Sequence, residues 1–362
     1  MAHTLQERYS DMVLAKVRAE LKLKDGVVFN NDYEGDPTAG AVKIPVRDTE
    51  VTVSAYDKTN GITASAGSTT YDTLVINKDY AVNEIIDGYD AASVPDNLVA
   101  DRLDSAGYAL AYRIDADGAS TLLAGATATG VNSLTTGNVY STIVSIRTAM
   151  SKANIPDDGK RYLLVTPDTY ALILTCDQFT SASALGDAVK ETGIQGRIAG
   201  FNIIEWNDTT ANLAMIAGHP RFATRCSEWM VGVKLQDLNG DGVHIGASAV
   251  QGRRVYGHKV LRSTAIRAVY VPNALAISLA SSDTGKTVAT VTGGVDGGSY
   301  KYTLNPTARV VYGETSYGGT SLTSGTTKIA VSEGDVIEIA NISSGSVVGV
   351  GYITVAAADI GA

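Results

Sequence analysis

The chain has 362 residues, of which 44% are hydrophobic and 19% are charged, and its formal net charge is −9. The apolar fraction excludes a disordered chain, and the length is too great for one ordinary core, so two or more domains are expected. The acidic balance argues against a free DNA-binding protein, whose electrostatic footprint is normally basic.

The compartment is inferred from the cysteines and from the first residues. Cys176 and Cys226 lie far apart in sequence, which favours a reducing, cytosolic environment while leaving a disulfide between them open. The first residues hold no apolar core of signal-peptide length, and no run approaches the roughly 20 apolar residues that span a bilayer. We therefore expect a protein that folds in a cytoplasm and has no membrane partner.

Residues 4 to 24 have the pattern of an amphipathic helix. Apolar side chains, including Leu5, Tyr9 and Met12, recur at helical spacing with charges between them. Gly26 ends the pattern. This helix either docks on its own domain or forms an arm across a neighbouring subunit, since a segment ahead of a domain often needs a partner to order it.

Residues 42 to 85 predict a long two-stranded excursion. Alternating segments flank a polar, glycine-dotted stretch in which Lys58 lies near the tip and Asn60-Gly61 signals a turn. Pro45 limits the first strand to a sheet edge. Because an isolated ribbon is marginal in water, we expect it to pack on something outside its own domain.

Helical spacing returns at residues 94 to 124, which predict one long helix that starts at Pro95-Asp96. Its apolar face contains Val99, Leu103, Ala106, Leu110, Ile114 and Leu122. A second helix is predicted over 139 to 153. Residues 161 to 174 should form a buried strand, a proline turn and a short helix.

The segment 193 to 209, GIQGRIAGFNIIEWNDT, combines a glycine-spaced turn with a strand-like run. Its marked residues are Gly193, Gly196, Arg197, Gly200 and Phe201. This pattern predicts a glycine-hinged turn that leads into a buried strand. Further apolar strands are expected at 213 to 218 and 265 to 271. Because helices and strands alternate without a regular βαβ period, the sequence favours an α+β fold over a doubly wound sheet.

The composition changes after Pro272-Asn273. From 274 to 362, short strand-like runs (TVATVT, SYKYTL, RVVY, TKIAV, DVIEIANI and SVVGVGYITV) alternate with Gly, Asn and Ser clusters, without a helical pattern. Even spacing of short strands is typical of a small β-sandwich. The module has no cysteine pair and no tryptophan, so it resembles immunoglobulin domains in architecture only.

One candidate ligand site lies in DLNGDG, residues 237 to 242. Asp237, Asn239 and Asp241 fall in register with the first half of a calcium loop. The twelfth position is Ser248, where that loop requires a bidentate glutamate, so a plain β-turn is favoured over a metal site.

No catalytic or cofactor-binding pattern stands out. None of the four histidines is paired at helical spacing for a metal, and GIQGRIAG lacks the spacing and the lysine of phosphate-binding loops. We therefore expect neither enzyme activity nor a cofactor. The most basic stretch should form salt bridges at a surface or interface rather than a nucleic-acid patch. It contains Arg253, Arg254, His258, Lys259, Arg262 and Arg267.

The order of these elements resembles that of tailed-bacteriophage major capsid proteins with the Hong Kong 97-like fold. The resemblance rests on the N-terminal arm, the extended loop, the helix pattern YAVNEIIDGYDAASVPDNLVADRLDSAGYALAYRIDADGASTLL, the strand before TPDTY, GRIAGF and the strands around RRVYGHKV. It covers residues 1 to 272 as a capsid shell domain. The C-terminal sandwich, 274 to 362, departs from the family pattern.

The resemblance divides the shell domain into an N-terminal arm (1 to 30), an extended loop (42 to 85), a spine helix (94 to 124) and an axial domain (160 to 235). It implies a structural protein that assembles into pentamers and hexamers of an icosahedral virion shell, with weak non-specific contacts to packaged double-stranded DNA. The residues expected at assembly contacts are Leu5, Tyr9, Met12, Lys58, Asn60, Gly61, Gly193, Gly196, Arg197, Gly200 and Phe201.

The resemblance also implies assembly in a host bacterial cytoplasm with a portal and a separate scaffolding protein. Some relatives weld neighbours through a lysine–asparagine bond, but the sequence does not favour such a weld at Lys58. We expect the polar, Thr-rich sandwich on the outer surface. Two alternatives are a nanocompartment of the same fold that encloses an enzyme cargo, and a secreted carbohydrate-binding or hydrolytic protein, which the missing signal sequence opposes.

Overall fold

The computed structural model describes residues 18–36, 40–46, 51, 53–62, 69–93, 98–176, 196–240 and 243–361. The predicted features outside those residues are Leu5, Tyr9, Met12, the helix start at Pro95-Asp96, Gly193 and Asp241. The chain divides into two compact units, one made of residues 1 to 125 and 220 to 262, the other of residues 126 to 219 and 263 to 362. Among the described residues, none of the helices combines the length and hydrophobicity that a membrane span needs.

The described helices are α1 (Gly88–Ser93), α2 (Leu98–Gly125), α3 (Val139–Lys152) and α4 (Pro167–Leu174), with 3₁₀ turns at Pro220–Phe222, Ser263–Ala265 and Ala357–Asp359. The strands up to residue 270 are β1 (Ala41–Val46), β2 (Thr70–Val75), β3 (Lys78–Asp87), β4 (Thr127–Gly130), β5 (Tyr162–Val165), β6 (Arg197–Ile198), β7 (Phe201–Glu205), β8 (Leu213–Gly218), β9 (Ala223–Asp237), β10 (Ala247–Val260) and β11 (Arg267–Tyr270). The remaining strands are β12 (Asn273–Ala274), β13 (Ala276–Ser281), β14 (Lys286–Thr292), β15 (Ser299–Leu304), β16 (Thr320–Leu322), β17 (Lys328–Ala330), β18 (Val336–Ser343) and β19 (Ser346–Thr354).

In the first unit, a three-stranded antiparallel sheet of order β3-β10-β9 packs against α2. Ile86, Ala106 and Val250 are buried between the helix and the sheet, and Val99 and Leu103 pack against them. Because these helix positions lie on one side at a spacing of three or four residues, the predicted apolar face of the long helix is confirmed.

The strands β1 and β2 form a two-stranded antiparallel ribbon, with Ala41 opposite Val75 and Val46 opposite Thr70. Pro45 lies on β1, which pairs with β2 alone among the described strands, as a sheet-edge position requires. The ribbon is shorter than predicted. The chain leaves it after β2, and the second half of the predicted strand becomes β3, because that segment pairs with β10 along its whole length.

The predicted N-terminal helix is wrong in its described part, because residues 18–24 are not helical. Their polar backbone groups bond to a distant helix instead. The Leu23 N–H donates to Asp115 (3.3 Å), and the Tyr108 hydroxyl donates to the Ala19 carbonyl (2.9 Å). Tertiary partners therefore override the local helical propensity.

The second unit contains a six-stranded mixed sheet of order β4-β11-β8-β5-β7-β6. Its central strands β5 and β8 are buried along their whole length, as their continuous apolar sequences require. The α3 helix buries one face, made of Val139, Ile143, Ile146 and Met150. Because α4 begins at Pro167 directly after β5, the predicted strand, proline turn and short helix are confirmed.

Two further sheets lie within the second unit, between residues 273 and 354. One is five-stranded, of order β12-β19-β18-β15-β16, and the other is antiparallel and three-stranded, of order β13-β14-β17. They share a core that includes Ala289 and Ile337. The predicted RVVY strand is wrong, since residues 309–312 form no strand and Val310 packs on a sheet face instead. The sequence analysis also missed β13 and β16.

The buried face of α3 gives a test of this packing. Ile143→Ala should lower the free energy of unfolding by about 2–5 kcal/mol, because it empties a fully buried site. Val144→Ala, one residue along the same helix and 37% exposed, is the matched control and should change it by less than about 0.5 kcal/mol. Denaturant unfolding followed by circular dichroism measures both, and equal effects would contradict the assigned face.

Candidate assembly surfaces

The turn at residues 57–61 lies between the two ribbon strands in sequence and is organised by Asp57. The Gly61 N–H donates to the Asp57 carbonyl (2.8 Å), and the Thr59 N–H donates to Asp57 Oδ1 (2.8 Å). Asn60 Nδ2 donates to Asp57 Oδ2 (2.8 Å). Gly61 has φ +70°, which favours glycine there. The bonds that the Asp57 carboxylate accepts, first from the Thr59 N–H and then from Asn60 Nδ2, lower the pKa of this carboxyl.

Apolar side chains flank this turn and face solvent. Val51, Val53, Tyr56 and Ile62 are 87%, 94%, 72% and 53% exposed. Exposed apolar surface of this kind is typical of a site that a partner covers. Lys58 on the same turn is also exposed, whereas an amine that forms an isopeptide bond needs desolvated surroundings. The surroundings of Lys58 within one chain therefore do not support a covalent weld.

The base of the ribbon, in contrast, is packed on β10. Ile44, Leu74 and Cys226 form a buried cluster there. Gly257 on β10 lies so close that a Cβ at its position would be 2.6 Å from the Val75 carbonyl oxygen. The pair β1–β2 therefore contributes to a buried cluster, whereas the turn at 57–61 is exposed.

Residues 18–30, which we call the N-terminal segment, first contact α2. Arg18 Nη1 lies 2.6 Å from Asp104 Oδ2, and the Arg18 guanidinium lies 4.9 Å from the centre of the Tyr108 ring. The Tyr108 hydroxyl donates to the Ala19 carbonyl in the same region. An ion pair, a cation–π contact and a hydrogen bond to a backbone carbonyl thus attach the start of the segment to one side of the helix.

Arg225, on β9, attaches the rest of the N-terminal segment. Its Nη1 donates to Asp25 Oδ1 (3.0 Å), its Nη2 to the Leu23 carbonyl (3.1 Å) and its Nε to His258 Nε2 (2.9 Å). The guanidinium also lies 4.9 Å from the centre of the Phe29 ring. Since the side chain is only 14% exposed, these partners replace the water that the charge has lost.

Two residues beside Arg225, His258 and Asp115, have shifted pKa values. Burial, followed by the charge of Arg225, lowers the pKa of His258 to about 3, so the ring is neutral and Nε2 can accept the bond from Arg225. Burial also raises the pKa of the Asp115 carboxyl, against the opposing effects of the Leu23 N–H and of Arg225, whose Nη2 is 3.7 Å away. Sequence reasoning placed His258 in a basic stretch and missed Arg225, which lies on another strand.

The described part of the glycine-spaced segment, residues 196–209, contains the hairpin β6–β7 at one edge of the six-stranded sheet. Gly200 has φ +86° in the turn, and Ile198 and Phe201 on either side are buried. The predicted turn is confirmed. The strand that follows is only half-buried beyond Phe201, because β7 lies second from the sheet edge. Gly196 is exposed, with open space around it.

Arg197 connects this hairpin to the loop before β5. Its Nε donates to Asn202 Oδ1 (2.8 Å), and its Nη2 donates to the Gly159 carbonyl (2.9 Å), which Asn202 Nδ2 also reaches (3.0 Å). A Cβ at Gly200 would lie 3.4 Å from Cζ of Arg147, which pairs with an aspartate of the same loop. The predicted assembly residues from Gly196 to Phe201 therefore form one supported corner of the sheet.

Arg161 supports the same loop from inside, and sequence reasoning missed it. Its side chain is 1% exposed and donates to the carbonyls of Pro156 (2.9 Å) and Ile155 (2.5 Å) and to Ser151 Oγ (3.3 Å). The only local signal is a charged residue directly before a buried strand. Because a buried charge needs partners, such a position predicts a nearby irregular segment with unpaired carbonyls.

The buried His219 is a second support of this loop. Its Nε2 lies 2.9 Å from Asp158 Oδ1, and this hydrogen bond is the chief cause of the lowered pKa of the Asp158 carboxyl. The histidine was interpreted from sequence as part of a turn, and it precedes the 3₁₀ turn Pro220–Phe222.

The described residues of the calcium-like loop form hydrogen bonds within the connection between β9 and β10. Asp237 Oδ1 accepts the Asn239 N–H (2.9 Å), and Asn239 Oδ1 accepts the Gly246 N–H (2.6 Å). Within the described part of the chain, no group of three His, Cys, Asp or Glu side chains is arranged to hold a metal ion. The bonds favour the turn interpretation of this motif.

Two cations of the basic stretch, Arg253 and Lys259, are paired with carboxylates. Arg253 pairs with Asp79, its Nε lying 2.8 Å from Asp79 Oδ1, and its guanidinium lies 5.2 Å from the Trp229 ring centre. Lys259, on β10, pairs with Asp72 on the ribbon strand β2. The salt-bridge interpretation is confirmed for these two cations.

A model of the phage capsid protein family matches residues 84–271, just over half of the chain. The chain belongs to the phage capsid protein family. The matched range includes the long helix, the six-stranded sheet and the hairpin of β9 and β10, whereas the N-terminal segment and the turn at 57–61 lie outside it. The two sheets that follow residue 272 lie outside it.

Solved phage structures have the same fold. A chain from Mycobacterium phage Che8 aligns with a TM-score of 0.61 at 25% identity, over 73% of this chain and 96% of that one. A chain in the capsid structure of the Cyanophage P-SCSP1u gives 0.62 at 15% identity, over 74% and 93%. The mature capsid of bacteriophage PhiM1 gives 0.52 at 12%, over 71% and 92%. No curated protein matches the chain.

Arg225 can be tested as the attachment point of the N-terminal segment of this capsid-family chain. Arg225→Ala should lower the free energy of unfolding by about 3 kcal/mol, because partly buried charges lose their partner. Trypsin should also cleave faster after Lys24. Arg253→Ala, which removes an exposed ion pair, is the matched control and should cost less than about 1 kcal/mol. Equal losses in the two variants, with unchanged cleavage, would show that Arg225 is not the attachment point.

The turn at 57–61 should depend on pH. The folded pKa of Asp57 is lower than the unfolded value of about 3.9, so its contribution to the turn is complete above about pH 4 and disappears as the pH falls through the folded pKa. Hydrogen exchange of the Thr59 amide, corrected for the intrinsic rate, should therefore accelerate on acidification. Asp57→Asn should abolish this dependence. A wild-type rate that is flat down to about pH 2 would refute the role of the carboxylate.

Proposed function

We propose that this chain is the major capsid protein of a tailed bacteriophage, with the Hong Kong 97-like shell fold, and that copies of it assemble into the icosahedral shell around the genome. Membership of the phage capsid protein family carries the proposal. The structural neighbours support it, because two of them are chains of phage capsids. The protein acts by forming many interfaces, so we propose no enzymatic step.

The ribbon supports self-assembly on physical grounds. A shell needs a surface that is apolar, exposed and held in place, because mobile surface costs entropy when it is buried. The turn at 57–61 meets these conditions, since Asp57 organises it and apolar side chains such as Val53 and Tyr56 flank it. The exposed residues of the corner, Gly196 and Arg197, form the second proposed contact surface, and the buried Phe201 supports it from within the subunit. Contacts of this heterologous kind close into rings of five and six.

The chain after residue 273 is proposed to be an immunoglobulin-like β-sandwich on the outer surface of the shell. Two sheets with a shared core support the architecture. The outer residues of the three-stranded sheet support exposure to solvent, since Ser278, Thr290 and Thr292 are small, polar and exposed. Such a surface loses little by facing water.

The proposal extends to the partners and the location of the shell. Assembly takes place in the cytoplasm of a bacterial host, with a portal and a separate scaffolding protein. Contact with packaged DNA is weak and non-specific, which the net charge of −9 and the paired cations of β10 support. The arm (1–30), loop (42–85), spine (94–124) and axial (160–235) divisions remain proposals.

Purified full-length protein tests the function directly. Light scattering after size exclusion and electron microscopy should find shells, or pentamers and hexamers. Val51→Asp combined with Val53→Asp should abolish assembly and leave the unfolding transition of the subunit unchanged, because both side chains are exposed and carboxylates resist burial. Val295→Asp, at a site 40% exposed beyond residue 273, is the matched control and should still assemble.

Four outcomes would contradict parts of the proposal. A monomeric wild-type protein would refute self-assembly, and unimpaired shells of the double variant would refute the role of the ribbon. A cargo protein that copurifies inside the shells would favour the nanocompartment. Electron density for the sandwich on the inner surface would refute its outward placement.

A further inference from the structure

Residues 306–319, which we call the strap, connect β15 to β16 without forming a strand. The strap lies on the face of the five-stranded sheet that is not covered by the three-stranded sheet. Val310 and Tyr317 of the strap pack there against Ala340, Val347 and Tyr352. The five-stranded sheet is therefore covered on both faces, by a second sheet on one side and by an irregular segment on the other.

A buried carboxylate fastens the strap to the sheet beneath it. Glu338, on β18, is 1% exposed; its Oε2 accepts the Val310 N–H (3.2 Å) and its Oε1 accepts the Tyr317 hydroxyl (3.2 Å). Arg309 adds a cation at 3.8 Å from the centre of the Tyr352 ring. Because an irregular segment has no ladder partners, its buried N–H groups need acceptors of this kind.

Backbone bonds close the middle of the strap on β19. The Gly313 N–H donates to the Val347 carbonyl (2.8 Å), and the Val347 N–H donates to the Glu314 carbonyl (3.0 Å). These bonds hold Tyr312, which lies directly before Gly313, in a defined orientation.

Tyr312 fastens the strap to a different sheet. Its N–H donates to the carbonyl of Val131, the residue after β4, at 3.2 Å. Its ring stacks on Tyr270 of β11, with centres 5.3 Å apart and planes at 17°. Gly130, the last residue of β4, is in such close contact that a Cβ there would overlap the Tyr312 carbonyl oxygen. The edge of the six-stranded sheet is thus shaped to receive this one residue.

A second joint connects the same two parts of the unit. Asn212, after β7, donates through Nδ2 to Asn273 Oδ1 (2.9 Å) and to the Val271 carbonyl (2.9 Å). The short strand β12 then pairs with β19 at Gly349. Residues 271–273, where the chain passes from the six-stranded sheet to the five-stranded sheet, are therefore one attachment between the two. The strap, about 40 residues later in the chain, is a separate attachment.

We infer that the strap is a two-sided clamp that fixes the sheets after residue 273 to the edge of the six-stranded sheet. Glu338 positions the strap on its own sheet, and Gly130 leaves the space that Tyr312 occupies on the other. A single covalent crossing allows neighbouring parts of a chain to pivot, whereas two separated attachments do not. The strap also covers the end of the edge strand β4, which would otherwise be open to pairing with another chain. The clamp itself does not depend on the proposed function; only its consequence for an assembled particle does.

The consequence for an assembled particle is geometric. If the sandwich pivoted on a linker, its orientation would vary from copy to copy. With the strap closed, every subunit presents the same surface of the sandwich at the same angle. The strap therefore makes the C-terminal sheets a fixed part of the subunit.

Hydrogen exchange of the full-length protein, resolved to single amides by fragmentation, tests the clamp. In the wild type, the amides of Val310, Tyr312 and Gly313 should be protected. Gly130→Ala should accelerate exchange at Tyr312 by about tenfold or more, because a Cβ displaces its carbonyl from β4, and should leave Val310 protected. The matched control is Gly137→Ala, where a Cβ meets only Thr135 Oγ1 at 3.9 Å.

The opposite side of the clamp is tested by Glu338→Leu, which keeps the volume of the side chain and removes both acceptors. Exchange should then accelerate by about tenfold or more at Val310 and also at Tyr312, because the strap loses its support. Lys328→Ala, which removes an exposed ion pair with Asp283 in the same region, is the control. If the leucine variant does not fold, Tyr317→Phe removes one of the two bonds and should produce a smaller acceleration at Val310.

Two results would overturn the inference. The first is unchanged exchange at Tyr312 in Gly130→Ala, because the strap would then not be held by β4. The second is wild-type exchange at Tyr312 as fast as that of an exposed loop. The Val131 amide, which donates to the Tyr270 carbonyl (3.0 Å), should stay protected in all variants and confirms that β4 itself remains in place.

Discussion

The structure depends on a single requirement, that the backbone of irregular segments must find partners away from water. Arg225 illustrates it in the first unit. Its guanidinium has lost most of its water, and it regains partners from Asp25, the Leu23 carbonyl and His258. One buried charge therefore joins the N-terminal segment to β9 and β10, and Asp115 adds α2. Burying such a charge is favourable only when every partner is present, which makes the attachment sensitive to loss of any one of them.

The second unit repeats this solution twice. Arg161 binds the carbonyls of the loop that precedes β5, and Glu338 binds an N–H of the strap. The Arg161 guanidinium donates to carbonyl oxygens and the Glu338 carboxylate accepts from an N–H, because the peptide group is negative at its oxygen and positive at its N–H. Each buried charge supports an irregular segment that in turn shapes a surface: the corner at Arg197 in one case, and the joint at Tyr312 in the other.

The turn at 57–61 differs from these segments because Asp57 within it accepts its N–H groups, while the apolar side chains beside it stay exposed. Asp57 satisfies the turn locally, yet Val51 and Val53 remain almost fully exposed. Apolar surface beside a turn that internal hydrogen bonds organise gains free energy from burial at a reduced entropic cost, so it favours association. A member of the phage capsid protein family that combines satisfied polar groups with exposed apolar side chains has the properties that a subunit of a closed shell needs.

The sequence by itself determined the elements whose pattern is local. Three local patterns predicted their elements correctly: the apolar spacing of α2, the continuous apolar runs of β5 and β8, and the proline at the start of α4. Such patterns succeed because the burial of one helix face or of a central strand depends on residues that are close together in sequence. Only the tertiary structure decided the segments whose partners are distant. Residues 18–24 are not helical because Arg225 and Asp115 bind them, and β3 separates from the ribbon because β10 pairs with it. RVVY has the composition of a strand, but Glu338 and β4 hold it as a strap, and those contacts lie beyond the range of any local pattern.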